Sequence, residues 1–448
     1  MPNPKCPFHL SILASCCLSL GINAAEDDPL SREALFGDDL PQLSSPSSTD
    51  KTGSGIRGFM QFEAADTVAS PEHWSKLRAR TDLSDSGNLG NGVKWKMGAR
   101  FDYDFAYAIN NFYPPDVEKN QRRDIELREN YIDYGLGDWD FRVGRQHVIW
   151  GEMVGLFFAD VVSARDLREF VLPDFDQMRI PQWAARAEYF TGDYHAELLW
   201  IPVASYDNIG KPGAAFYPMP TGPNIRYLQE ERPQRNADNM NYGLRLSTLK
   251  NGWDVSAFAY RSSDVSPTFY RQFDGPTVVY QARHDRINQY GSTLSKDFGD
   301  VVLKAEGVYT TGRSFSVQDP NVSDGVVRQN TLDWAVGLDF TLPAESRFNV
   351  QLFQRRYSNY NPTQIPDREE NGYSLLFNTK FIDNWEAQTI FIASLNRTDW
   401  LLRPRLTWNF ERNWRLLFGA DIFKGPPTGL FGRYDQQNRI YSEIRYSF

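Results

Sequence analysis

From Val93 to Tyr107 the chain sets an apolar or aromatic residue at every second position: Val93, Trp95, Met97, Ala99, Phe101, Tyr103, Phe105 and Tyr107. Between them stand Lys94, Lys96, Gly98, Arg100, Asp102, Asp104 and Ala106, mostly charged. A helix, with its period of about 3.6, cannot sort these two sets onto separate faces; a strand, with period 2, does. The same alternation returns at Ile56–Ala64 and Trp139–Val148, and then in hairpins. Trp183–Thr191 is followed by Tyr194–Pro202, Met240–Leu249 by Trp253–Ser262, and Asp285–Asp297 by Val301–Thr311. Thr331–Leu342 precedes Arg347–Tyr357, Tyr373–Phe381 precedes Trp385–Leu395, and Trp400–Phe410 precedes Trp414–Lys424, before a last strand at Arg439–Phe448. Trp74–Leu83 is a weak strand, and Arg123–Gly135 alternates too poorly to orient.

Loop length alternates as well. Tight turns such as Asn91-Gly92, Gly192-Asp193 and Asn251-Gly252 carry the residues that two-residue hairpins favour. The other connections are mostly long, as at Ile149–Gln182, Val203–Asn239 and Ser263–His284. Short turns on one side, long loops on the other and an even strand count are the rule for outer-membrane barrels. Two independent periodicities thus predict one fold. It is all-β, a transmembrane antiparallel up-and-down β-barrel of roughly 18 strands (16–18) in the bacterial outer membrane.

The predicted lipid face is nearly free of charge, as in Leu332, Trp334, Val336, Leu338 and Phe340, or Trp414, Leu416, Phe418 and Ile422. A Lys or Arg at the midplane would cost about 2–4 kcal/mol. Pro404 interrupts this pattern and predicts a bulge. Composition agrees: mean hydropathy is −0.53, yet 14% of residues are aromatic. Beyond the N-terminus there is no apolar run long enough for a membrane helix. The net charge of −9 argues against nucleic acid as a partner.

The first 25 residues read as a signal peptide: Lys5, the apolar Phe8–Leu20, and Asn23-Ala24-Ala25 before Glu26. Leu13-Ala14-Ser15-Cys16 offers a rival lipoprotein reading. Cys6, Cys16 and Cys17 all fall in this segment, so the exported chain would carry no thiol. Residues 26–53 read as a periplasmic leader, and 54–448 as the barrel. The terminal Ile444-Arg445-Tyr446-Ser447-Phe448 resembles the signal read by the barrel-assembly machinery.

No G-x-S-x-G, H-E-x-x-H or Walker loop is present, so no enzyme, metal or cofactor is expected. His147 with Glu152 is better read as a hydrogen-bonded rim pair than as a catalytic one. The chemistry lies in the predicted lumen face: Lys94, Lys96, Arg100, Asp102, Asp104, Arg142, Arg347, Arg355, Lys380, Arg403, Arg405 and Arg415. The last six strands form a basic wall beside an acidic arc of Glu306, Asp333 and Asp339. Such a field orients polar permeants or anchors charged loops; the rival is a lumen of self-compensating ion pairs.

One region is more specific. Arg142-Val143-Gly144-Arg145-Gln146 leads to Trp150-Gly151-Glu152, then to Arg165-Asp166-Leu167-Arg168-Glu169 and Pro173. This run, the Gly425-Pro426 hairpin and the terminal Phe resemble a family of proteobacterial outer-membrane barrels catalogued only as a domain of unknown function. The resemblance covers most of the exported chain, with Ser163-Ala164 standing where Asn-Pro is expected. Members are often encoded beside RND-type permeases and periplasmic lipid-carrier-like proteins. The resemblance therefore implies a channel or export component for hydrophobic or amphipathic molecules, partnered by an RND-type permease and a periplasmic carrier. A general diffusion porin is the alternative within transport; an enzymatic barrel and a structural or adhesive barrel are the alternatives outside it. The long loop after Val148, with Arg165, Asp166, Arg168 and Glu169 and apolar anchors from Leu156 to Leu172, is expected to fold inward and constrict the pore. An external lid is the rival.

Overall fold

A computed structural model describes residues 55–151, 153, 158–364 and 366–448. The predicted signal peptide and leader, Glu152, Leu156 and Phe157 lie outside the described residues.

Eighteen antiparallel strands form one sheet that closes on itself. In chain order they are β1 (Arg57–Thr67), β2 (His73–Gly90), β3 (Val93–Asp104), β4 (Arg123–Leu136), β5 (Trp139–Gln146) and β6 (Gln182–Thr191). Next come β7 (Tyr194–Val203), β8 (Asn241–Lys250), β9 (Trp253–Ser263), β10 (Arg286–Asp297), β11 (Val301–Ser316) and β12 (Val326–Leu342). The ring is completed by β13 (Ser346–Ser358), β14 (Glu369–Ile382), β15 (Trp385–Ser394), β16 (Trp400–Glu411), β17 (Trp414–Lys424) and β18 (Arg439–Ser447). Closure runs from Phe59↔Ser447 to Thr67↔Arg439, finished by mutual backbone bonds between Gly58 and Phe448. In a closed ring every strand has two neighbours, which is how a sheet can span a membrane.

Alternation sorts the faces as predicted. Along β12, Leu332 and Val336 are outward and exposed, while Asp333 and Ala335 are buried inside. Trp385 stacks on Trp408 at 5.3 Å near the turn end of β15 and β16, and Trp414 packs on Tyr446. These pairs belong to an aromatic girdle.

The structure departs from the pattern at several points. β3 ends at Asp104 rather than Tyr107: a short helix follows at Ala106–Ile109, and Tyr107 is buried. β2 runs to Gly90, well beyond the predicted segment, because paired backbones on both sides support its polar lower half. Pro404 makes no bulge. Leu402↔Ile422 and Arg405↔Gly419 keep one register, and the shift falls between Trp408 and Glu411. The Arg403–Asp421 ion pair bridges the two strands where the ladder lapses. β4 alternates poorly because a bulge between Met97 and Ala99 shifts its partner register. Ile125 and Leu127 point outward below residue 128; beyond it Ile132, Tyr134 and Leu136 do. The long loops after β7 and β9 are not structureless. Ile225–Tyr227, Thr268–Asp274 and Thr277–Arg283 form a separate three-stranded sheet.

Candidate functional site: a loop held across the lumen

After Gln146 the chain leaves the wall and turns inward. Trp150 is the first anchor. Its indole is buried against Phe258 and Tyr260, and its Nε1 donates to Glu197 Oε2 at 3.1 Å. Gly243 makes room for it, since a Cβ there would stand 2.5 Å from the ring. Val148, Ala159, Val161 and Val162 join Leu199, Ile201 and Val308 in the same apolar cluster. This cluster fixes the loop against the β7–β11 side of the barrel.

The loop then crosses. Ala164–Arg165 pairs with Arg179–Ile180, so its outgoing and returning arms are stitched together. Between them Glu169 meets three cations of β2 and β18: Lys76, Arg78 at 2.8 Å and Arg439 at 3.2 Å. Burial pushes the Glu169 carboxyl up, but Lys76, Arg78 and Arg439 outweigh it and hold it well below the usual carboxylate range. Arg168 donates to Asp166 and Asp124, both at 2.5 Å. Burial also raises the Asp166 carboxyl, and Arg168 more than reverses this. Phe170, at a positive φ of 55°, turns its ring into a cluster with Phe423, Phe431 and Tyr434.

At the far wall Arg403 donates to the Leu172 carbonyl at 2.5 Å, and Arg405 to Asp174 at 2.8 Å. The returning arm meets the wall four to six strands further round the ring. Arg80 reaches Gln177 Oε1 (2.6 Å), Arg100 the Gln177 carbonyl (2.8 Å), and Arg128 the carbonyls of Asp176 and Arg179 (2.5 and 2.8 Å). Arg179 closes on Asp160 at 3.0 Å. The loop is thus tied to β2, β3, β4, β7, β9, β16 and β18, on both sides of the ring. Guanidinium groups suit this task, because each offers several donors to fixed carbonyls.

The predicted lumen residues divide into two groups. Arg100, Arg403 and Arg405 hold the loop, while Asp102 and Asp104 support its anchors. Asp102 binds Arg80 at 2.6 Å, and Asp104 accepts from the backbone of Leu77 and Ala106. The others sit among wall partners: Lys96 with Glu129 (2.6 Å), Arg142 with Asp133 (2.6 Å), Arg355 with Asp333 (2.5 Å), Lys380 with Glu345 (2.6 Å) and Arg415 with Glu443 (2.7 Å). Arg347 lies between Thr341 and Asn378 in the ladder. Arg165 donates its backbone N–H to Asp207. The basic wall meets the acidic arc where Arg355 pairs with Asp333, while Asp339 is paired by Lys304 of β11.

Lys76, Arg78, Arg80, Arg128 and Arg439 escaped the sequence reading as loop anchors. The first three stand at spacing two on one face of β2, a readable signal had that strand been oriented. Below the loop, a cavity of about 950 Å³ opens toward the hairpin turns, lined by Lys94, Arg142, Arg186, Glu188, Glu197 and Arg245.

A closed 18-stranded ring with an outward apolar band is an outer-membrane β-barrel, and its solved likenesses are of that class. The chain belongs to the DUF1302 family of proteins of unknown function, whose profile matches residues 45–421. It is similar in fold to OccAB2 of Acinetobacter baumannii (TM-score 0.53, 10% identity, 88% of this chain and 98% of that one). OccAB3 of the same organism gives a TM-score of 0.51 at 10% identity, covering 88% of this chain and 98% of the other. No curated protein matches the chain in sequence.

Proposed function

We propose that this barrel is a gated outer-membrane channel, a conduit rather than an enzyme, in which residues 147–181 are the gate. The observation that carries the reading is the loop's attachment to both sides of the ring, by Arg405 on β16 and, nine strands away, by Trp150 on Glu197 of β7. A general diffusion porin works with a standing aqueous path and solvated charges at its narrowest level. Here many of the lumen cations are committed to a loop, and a substantial cavity lies on its turn side. The family resemblance supports the finer reading: an export component for hydrophobic or amphipathic molecules, acting with an RND-type permease and a periplasmic carrier. In planar bilayers, deletion of residues 164–175 should raise single-channel conductance several-fold. An unchanged trace would reject the gate.

A further inference from the structure

The barrel wall is not continuous at one place. β4 extends from Leu136 to Arg123, but its pairing with β5 stops at Asn130↔Arg145. β5 ends one residue later, at Gln146, which pairs with Gln182 at the start of β6. Above that level residues 123–129 of β4 keep β3 on one side and, among the described residues, have no strand on the other. The eight residues of β5, rising about 3.3 Å each and tilted by about 40°, give a wall roughly 20 Å tall, against an apolar band of about 25 Å. The break therefore lies at the height of the outer leaflet. The side chains agree, since Ile125 and Leu127 beside the break point outward, 74% and 53% exposed.

An open sheet edge in hydrocarbon is costly, because each unsatisfied backbone group loses several kcal/mol. A side chain, not a strand, covers this one. Arg145 stands on β5 in step with the outward Val143 and Phe141. Its guanidinium bends across the break, donates to the Leu127 carbonyl at 2.6 Å and lies 3.5 Å from Glu126. Asn130 at the lower corner bonds the Arg128 carbonyl and the Gly98 carbonyl, standing in for ladder bonds lost at the bulge. Behind the break Arg128 holds the returning arm of the loop through Asp176 and Arg179. A cover made of one side chain, that of Arg145, can swing away without unzipping the barrel. The apolar rim faces lipid, while Glu126 and Arg128 face the lumen.

We propose that this break is a lateral portal through which amphipathic molecules pass between the lumen and the outer leaflet, apolar chain in the bilayer and polar head past Glu126, Arg128 and Arg145. The proposal rests on the gated-channel reading and names its exit and its substrate class. Single cysteines are introduced for a bimane fluorophore in the exported chain, whose sequence beyond residue 25 contains no cysteine. Glu126→Cys probes the lumen side of the break, Asn349→Cys a buried lumen site on β13, and Leu352→Cys the lipid face. The protein is placed in vesicles of phosphatidylcholine spin-labelled along the acyl chain. Quenching at position 126 should exceed that at 349 at least threefold and approach that at 352. Arg145→Ala, combined with Leu127→Cys as folding control, should raise the quenching at 126 further. Equal quenching at 126 and 349 overturns the portal. Because loop deletion and conductance are measured separately, the portal can fail while the gate stands, and the reverse.

Discussion

Arg405 of β16 and Asp174 of the loop form an ion pair at 2.8 Å between residues 231 apart in sequence. The pair joins the last quarter of the wall to a segment laid down before the sixth strand. Arg405→Ala should free that end of the loop, and single-channel conductance should rise two- to fivefold with noisier open states. Asp174→Ala should do the same, and the double variant should add little, because both changes cut one contact.

Glu169 is the counter-charge for Lys76, Arg78 and Arg439. Glu169→Ala leaves buried cations facing one another and should destabilise the folded barrel by about 3–5 kcal/mol. Urea titration of refolding into vesicles measures this. Glu169→Gln should recover less than half of the loss, since it restores volume and an acceptor but no charge.

The same carboxylates set an acid limit. Burial opposes ionisation of Glu169 and Asp174, yet their cationic neighbours win and both stay below their ordinary values of 4.5 and 3.8. A carboxyl depressed in the folded state contributes stability that is complete above its unfolded pKa and is lost as pH falls through the folded one. Conductance should therefore be flat from pH 8 to about 5 and rise only below about pH 4. A rise centred near pH 6 would point to histidine instead.

Trp150→Ala should cost about 3–5 kcal/mol, through a cavity beside Phe258 and Tyr260 and through Glu197 Oε2 losing its indole donor. Trp150→Phe should cost about 1–3 kcal/mol, mostly the unmade hydrogen bond. Thermal shifts in detergent separate the two.

On the outer face, Phe418 is 48% exposed within β17. Phe418→Arg should reduce stability in vesicles by about 2–4 kcal/mol if the residue lies at the bilayer midplane, and far less in a short-chain detergent micelle.

Alternation and loop length were enough to place all eighteen strands, because every barrel strand must solve the same lipid-versus-lumen problem. They failed where another force took over. β2 looked weak since Ser84, Asp85, Ser86 and Asn88 are polar, and its order comes from neighbours on both sides. β4 resisted orientation because the bulge moves its outward residues from Ile125 and Leu127 to Ile132, Tyr134 and Leu136. The charged run Arg165 to Glu169 drew notice as a loop that folds inward. Its partners on β2 and β18 stayed hidden, since residues 76–78 and 439 are joined to it only by the ring's closure. Sequence periodicity reports which face a residue takes, and says nothing of where a pairing stops, so the break above Arg145 left no mark.

The anchors of the loop also carry an order in time. Val148, Trp150 and Val162 find apolar partners such as Leu199 and Ile201 on strands that follow soon after, but Glu169 waits 270 residues for Arg439, and Leu172 waits 231 for Arg403. Contacts so far apart in sequence form late. While β16 to β18 are still being threaded against β1, the loop lacks Arg403, Arg405 and Arg439 and is held by β2, β3, β4, β7 and β9. The strands that seal the wall are therefore also the ones that complete the loop's attachment.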